Sequence, residues 1–249
     1  PDPKRENYFW ANTAYGFMEI NLKEKSYTYF KPDTLDFIVL RDMVIDKDGI
    51  IWATTWVHGI CSFDTNTQDI NIYNCPKGDN YPKSCRNGSS LIKYDENTLL
   101  IAGAFGLYTF DKSSHGWNWL NNRQLRSHLP GSPSLLYRDK DENIWISTYG
   151  DGLFVVHKHL QHIKNINVPG YNMDIIEYGD GLTYSNYYDQ LIFINVSKDD
   201  ILKFDSPEIL DSLDHGLRNL AVDSQNRLWV LDEGGIFVYN PRSKKLEKN

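Results

Sequence analysis

Residues 139–154 read DKDENIWISTYGDGLF, and this stretch decides the fold. An Asp-containing turn leads into a short apolar strand, a Gly-rich turn follows, and a second apolar strand begins. Within residues 144–147 the side chains alternate between the two faces of a sheet, so Trp145 lies on one face and Ile144 and Ile146 on the other. Both faces are apolar, and the sequence therefore predicts a hairpin in a sheet that is covered on both sides.

The pattern recurs along the whole chain. Asp46 and Trp52 repeat the six-residue spacing of Asp139 and Trp145, and less regular copies fill the gaps. The residues at the repeated position are Trp10, Trp52, Leu100, Trp145, Thr183 and Trp229. They are separated by 42, 48, 45, 38 and 46 residues, with four strand patterns and no long helix in each interval. Such a period is typical of β-propeller blades.

The predicted fold class is therefore all-β, with a β-propeller of four-stranded antiparallel blades and about six repeats. A lone blade cannot cover two apolar faces, so we expect the blades to stack radially. We treat 1–249 as a single propeller region, a fragment of a larger array with truncated ends, since no clear strand precedes Trp10. The repeat units are 5–35, 36–78, 89–124, 133–168, 173–206 and 217–249.

Composition and charge argue against nucleic-acid, membrane and cofactor binding by this segment. The chain has 249 residues and a formal net charge of −7, which gives no basic surface for nucleic acid, and we expect no nucleic-acid partner. No run of apolar residues approaches the roughly 18 to 20 that span a bilayer, so we expect no membrane contact in this segment. No cofactor-binding motif occurs, and none is expected.

Three cysteines and a group of histidines are the candidates for covalent or metal sites. Cys75 and Cys85 flank a Pro-, Gly- and Asn-rich loop; they either form a disulfide in an oxidising compartment or are two unrelated thiols. The cysteines lack zinc-site spacing. His157, His159 and His162 fit solvated edge residues better than a metal site, because only the first two share a strand face.

The pattern Asp-x-x-Gly-x-(Ile/Leu)-Trp-(Ile/Val)-x-Thr-x-x-x-Gly-Leu is clearest from Asp139 to Leu153. It resembles the two-component regulator propeller repeat, and the resemblance covers nearly the whole chain. It implies the periplasmic sensor region of a hybrid two-component system, whose parent is a homodimer anchored in the inner membrane with a histidine kinase inside the cell. The kinase chemistry would lie elsewhere in the parent, so we expect no enzymatic activity in this segment.

The candidate binding residues lie in the hairpins between the second and third strands of the blades, which share one rim. Aromatic rings beside charged groups suit a saccharide, because sugar C–H faces stack on rings and hydroxyls take hydrogen bonds. The alternative is that the rings pack over neighbouring blades or meet another propeller. The predicted ligand-binding residues are Tyr15, Trp56, His58, Phe105, Tyr149, Asp151, Tyr187, Tyr188 and Glu233.

Three functions fit these features. The leading hypothesis is an oligosaccharide-sensing segment that works with the rest of its sensor chain. A propeller-type polysaccharide lyase or hydrolase is the second, and would need a convergent base, nucleophile or metal. A protein-interaction scaffold without a small ligand is the third, and would need a flat apolar patch.

Overall fold

The computed structural model describes residues 1–32, 38–76, 83–104, 106–120, 132–156, 163–166, 172–179, 181–186, 191–195, 208–210, 217–240, 242–243 and 245–248. In these ranges the chain forms strands β1 to β23 and one short 3-10 helix, Lys83–Arg86. The strands make six antiparallel sheets. The predicted all-β class and six-fold repeat are confirmed. The chain divides into two compact units, Pro1–Arg123 (unit 1) and Gln124–Asn249 (unit 2). A single region spanning 1–249 stays a prediction.

Unit 1 contains three of the sheets. The first consists of β1 (Tyr8–Thr13), β2 (Gly16–Asn21) and β3 (Ser26–Phe30). The second consists of β4 (Leu40–Ile45), β5 (Ile50–Thr55), β6 (Ile60–Asp64) and β7 (Ile70–Tyr73). The third consists of β8 (Gly88–Lys93), β9 (Thr98–Gly103), β10 (Gly106–Asp111) and β11 (Gly116–Trp119).

Unit 2 contains the other three sheets, each with four strands in chain order. The fourth consists of β12 (Pro133–Arg138), β13 (Ile144–Thr148), β14 (Leu153–Val156) and β15 (Ile163–Ile166). The fifth consists of β16 (Asn172–Tyr178), β17 (Gly181–Asn186), β18 (Leu191–Asn195) and β19 (Glu208–Leu210). The sixth consists of β20 (Leu217–Val222), β21 (Leu228–Asp232), β22 (Gly235–Asn240) and β23 (Lys245–Lys248).

The repeated Trp position lies in the second strand of every four-stranded sheet. Trp52 in β5 pairs with Val44 of β4, and Trp145 in β13 pairs with Tyr137 of β12. In the first sheet Trp10 lies in β1, and no strand among the described residues pairs with the other edge of β1. The repeat therefore keeps one register, and the first sheet begins at its second strand.

Trp10, Trp52 and Trp145 are each buried against the sheet that follows in the chain. Trp145 has no exposed surface and packs with Ile175 and Ile192 of the fifth sheet. In unit 1, Trp52 packs with Leu91 and Tyr108 of the third sheet. The neighbouring strand residues face the other way, as the alternation predicts. These contacts place the core between successive sheets.

Aspartates in the first strands of two sheets also join successive sheets. The Asp42 carboxylate in β4 accepts hydrogen bonds of 2.6 Å from Ser90 Oγ and 2.9 Å from Leu91 N in β8. Burial raises the pKa of Asp42, although these hydrogen bonds act in the opposite direction. Asp174 repeats the contact in unit 2, accepting a 2.7 Å hydrogen bond from Leu220 N. The start of β4 is thus fixed against β8.

The segment after β7 is joined by a disulfide to the 3-10 helix that precedes the third sheet. Cys75 and Cys85 form a disulfide with a Cα–Cα distance of 5.8 Å, and both are buried. The third cysteine, Cys61, is a free thiol buried in β6.

The described ranges contain no helix with the length and apolar character that a bilayer span requires.

Candidate functional site

Two exposed rings of unit 1 flank one backbone segment at the start of the second sheet. Tyr15, in the β1–β2 hairpin, forms a parallel bridge with Ile38, and it is 64% exposed. Trp56, in the β5–β6 hairpin, donates a 3.0 Å hydrogen bond from its backbone N–H to Val39 O and is 54% exposed. The Tyr15 and Trp56 side chains have no hydrogen bond or ring contact with the described residues. Both rings are therefore available to a ligand.

Arg41 lies on the same segment, two residues beyond Val39. A register shift between Leu40 and Met43 interrupts regular pairing there, and the Arg41 side chain is exposed. Its backbone oxygen accepts a 2.8 Å hydrogen bond from Asn12 Nδ2, which fixes the position of the chain. Its guanidinium donates one hydrogen bond, 3.2 Å from Nη1 to Asn87 Oδ1, and has no carboxylate partner among the described residues.

His58 and Arg86 complete this surface. The His58 backbone N–H donates a 2.8 Å hydrogen bond to Thr55 Oγ1, which holds the hairpin turn. The next residue, Gly59, donates a 3.0 Å backbone hydrogen bond to Arg86 O at the end of the 3-10 helix. The His58 and Arg86 side chains are half-buried and have no ion-pair partner among the described residues. We call the set Tyr15, Arg41, Trp56, His58 and Arg86 the unit 1 rim.

The corresponding hairpins of unit 2 carry acidic groups. Tyr149, 46% exposed, occupies the position of Trp56, and its backbone N–H donates a 2.9 Å hydrogen bond to Ser132 O. Asp151 is exposed in the same hairpin. In the sixth sheet Glu233 occupies the position that Trp56 has in the second sheet, and it forms an ion pair with Arg218. We call Tyr149, Asp151 and Glu233 the unit 2 rim.

Several predicted residues cannot be placed in these surfaces. Phe105, Tyr187 and Tyr188 lie outside the described residues, as do His157, His159 and His162. In the part of the chain that the structure describes, Tyr15, Trp56 and His58 come together in unit 1, whereas Tyr149, Asp151 and Glu233 belong to unit 2. A single rim that includes all nine candidates stays a prediction.

A cleft of about 350 Å³ lies at the other end of these unit 1 strands, at the β4–β5 turn. Four of its five charged side chains form two pairs: Lys47 Nζ lies 2.9 Å from Glu96 Oε2, and Lys112 Nζ lies 3.5 Å from Asp46 Oδ2. Such pairs satisfy the charges within the protein. We therefore place the candidate site on the unit 1 rim.

Sequence reasoning missed both arginines of the unit 1 rim. Arg41 belongs to the start of β4, which the hairpin rule does not cover, and Arg86 belongs to a 3-10 helix that the strand patterns do not show. One signal was present: Leu40-Arg41 and Leu217-Arg218 both stand at the same distance before the repeat Trp.

Comparisons with known proteins bear on the fold. No protein-family model matches the chain, and no curated protein matches its sequence. The extracellular domain of a protein named as a hybrid two-component system of B. thetaiotaomicron superposes with a TM-score of 0.74 at 20% identity, over 96% of this chain and 32% of that chain. This chain thus spans about a third of that domain's length.

Other propellers give similar agreement. Virginiamycin B lyase from Staphylococcus aureus has a TM-score of 0.69 at 14% identity, over 96% of this chain and 82% of that chain. The β-propeller domain of Cps50 from Myceliophteria thermophila has a TM-score of 0.72 at 7% identity, over 97% and 82% of the two chains. At these identities the likeness is one of fold, and it confirms the predicted β-propeller.

Proposed function

We propose that this chain is a ligand-recognition segment of a periplasmic sensor, and that the unit 1 rim binds an oligosaccharide. One observation carries the proposal: Tyr15 and Trp56 expose 64% and 54% of their surface on the two sides of the segment that carries Arg41. Large exposed rings that lie close together on a surface are typical of binding sites. Their flat faces suit the C–H faces of sugar rings, and the neighbouring polar groups suit the hydroxyls.

Two further findings support a sensor outside the cytoplasm. The fold is shared with the extracellular domain of a hybrid two-component system. The Cys75–Cys85 disulfide suits an oxidising compartment such as the periplasm. In the proposal the rest of a longer, membrane-anchored and dimeric parent carries the histidine kinase, and this segment supplies recognition.

Signalling in this proposal requires more than binding. A ligand shifts a conformational equilibrium only by the difference between its affinities for the two states. The oligosaccharide must therefore bind one arrangement of the parent sensor more tightly than the other. In the proposal the unit 1 rim contributes binding free energy. The difference in affinity between the two arrangements arises elsewhere in the parent.

The fold is also found in virginiamycin B lyase, so the alternative function to test is that of an enzyme. The proposal assigns the unit 1 rim a binding and not a catalytic role. Mass spectrometry of each sugar after incubation with the protein separates the two functions. Recovery of intact sugar supports recognition, whereas cleavage products that depend on native protein would favour the lyase.

The proposal is tested by calorimetry and thermal shift against a panel of oligosaccharides. We expect a binding sugar to raise the unfolding temperature, since a ligand at 100 times its Kd stabilises a protein by about 2.7 kcal/mol. The Trp56→Ala variant should bind at least tenfold more weakly.

The matched control is Tyr27→Ala, because Tyr27 is 66% exposed on β3, away from the unit 1 rim. This control should bind like the wild type. Equal affinity of wild type and Trp56→Ala would move binding away from the unit 1 rim, and a panel without any binder would reject the proposal.

A further inference from the structure

We infer that the oligosaccharide bound by the unit 1 rim is anionic, carrying carboxylate or sulfate groups, and that Arg41 recognises its charge. The inference rests on the proposed function and adds the chemical class of the ligand. It starts from the Arg41 guanidinium, which is exposed and makes its one hydrogen bond to the neutral side chain of Asn87.

The chain contains its own comparison for Arg41. Arg218 stands at the same position of the sixth sheet, because Leu217 pairs with Asp232 as Leu40 pairs with Thr55. The residue after Asp232 is Glu233, and its carboxylate forms an ion pair with Arg218. An arginine at this position thus reaches the hairpin residue beside it.

In the second sheet that hairpin residue is Trp56. The ring supplies no counter-charge, so the positive charge of Arg41 remains for a ligand while the ring beside it offers a stacking surface. A guanidinium binds carboxylate or sulfate oxygens through two parallel hydrogen bonds, which adds geometric selectivity to the charge attraction. An acidic sugar could place its ring on Trp56 and its anionic group on Arg41.

The unit 1 rim contains a second basic residue besides Arg41. Arg86 adds a second guanidinium without an ion-pair partner among the described residues. The nearest carboxylate in sequence, Asp42, is occupied by hydrogen bonds from Met43 N, Ser90 Oγ and Leu91 N. None of the residues that form the unit 1 rim is acidic, although the whole chain has a net charge of −7.

The test compares three oligosaccharide series of equal length on the intact chain: neutral, uronate-containing and sulfated. We expect the wild type to bind at least one anionic series at least tenfold more tightly than the neutral series. Affinity for that series should fall at least tenfold in Arg41→Gln, recover in part in Arg41→Lys, and weaken as salt rises because exposed charges are screened.

The matched control is Arg218→Gln, which removes an exposed arginine that already has a partner. It should leave the affinity unchanged. Thermal unfolding without ligand verifies that all three arginine variants fold.

The outcomes separate the two proposals. Preference for the uronate or for the sulfated series identifies which anion Arg41 recognises, and either result supports the inference. Neutral sugars that bind as tightly as anionic ones, through Trp56 and without an effect of Arg41→Gln, would overturn the inference and leave the proposed function standing. Absence of binding in all three series would reject both.

Discussion

Oδ2 of Asp139 accepts a 2.8 Å hydrogen bond from Nε1 of Trp145, six residues further along the chain. The other oxygen of the same carboxylate accepts backbone hydrogen bonds from Asp141 (3.0 Å) and Asn143 (2.8 Å). One side chain thus closes the turn and satisfies the indole of a fully buried tryptophan. Asp46 with Trp52 and Asp223 with Trp229 repeat the arrangement at 3.2 and 2.8 Å.

We expect Asp139→Ala to lower the free energy of unfolding by about 3 kcal/mol, because it strands a buried indole N–H and opens the turn. Chemical denaturation measures the change. Asp141→Ala is the matched control, since Asp141 is exposed and its backbone N–H remains, and it should cost less than about 0.5 kcal/mol. Similar losses in the two variants would contradict a special role for Asp139.

We expect the stability of the protein to depend on pH through the carboxylate of Asp223. The Arg227 backbone N–H and the Trp229 indole hold the pKa of Asp223 well below its ordinary value. A depressed pKa in the folded state stabilises the protein above the unfolded-state pKa of about 3.9, and this contribution is lost as pH falls through the folded-state value.

The stability difference between the wild type and Asp223→Asn should therefore be largest near neutral pH and shrink below about pH 4. Denaturant unfolding at several pH values measures it. Gln225→Ala, a change at an exposed residue of the same turn, should give a difference that does not vary with pH. A constant Asp223→Asn difference would show that ionisation of Asp223 is not coupled to folding.

The disulfide predicts sensitivity to reducing agents. Cys75 and Cys85 are 10 residues apart, and closing a loop of this length stabilises a protein by about 3 kcal/mol. Dithiothreitol should lower the unfolding free energy of the wild type by roughly that amount. The Cys75→Ala/Cys85→Ala variant should not respond to the reagent. A wild type that keeps its stability while both thiols become reduced would contradict the prediction.

Gly59 predicts a steric requirement in the β5–β6 hairpin. Its φ is +86°, and a Cβ there would lie 2.6 Å from Tyr73 O and 3.1 Å from Cys75 N. We expect Gly59→Ala to cost more than about 2 kcal/mol, from backbone strain plus this clash.

Gly150→Ala is the matched control, because Gly150 has a φ of +100° and a methyl group added to its Cα would meet no atom within 4 Å. It should cost about 1 kcal/mol, from strain alone. Equal losses of unfolding free energy in the two variants would show that a small shift of the backbone removes the clash with Tyr73 O.

The repeat could be predicted from sequence because its signal is local. Trp52 and Trp145 sit in second strands as expected, and the alternation around Trp145 correctly assigns the two faces. The hydrogen bond from Trp145 to Asp139 was missed, since a turn aspartate already has a sufficient explanation in its backbone contacts. The constant six-residue spacing was the available clue.

The site was less predictable because it depends on contacts distant in sequence. Tyr15 and Trp56 were named from their hairpins, but their meeting at residues 38–39 depends on a bridge and a backbone hydrogen bond that no periodicity shows. Arg41 was missed because it lies at the start of β4, outside the hairpins from which the candidates were chosen. The matching pair Leu217-Arg218 in the sixth sheet points to Arg41 only once the ion pair between Arg218 and Glu233 is known.

The packing of Trp10 and Trp52 against the next sheet of unit 1 also gives folding an order during synthesis. Trp52 leaves the ribosome before Tyr108, which packs against it, by 56 residues, or about 3 to 11 seconds at ordinary translation rates. During that interval the indole faces water or a chaperone. The first and second sheets therefore mature only when the next sheet of unit 1 has been made, and translation pauses within residues 88–119 would prolong the exposure of an already completed β5.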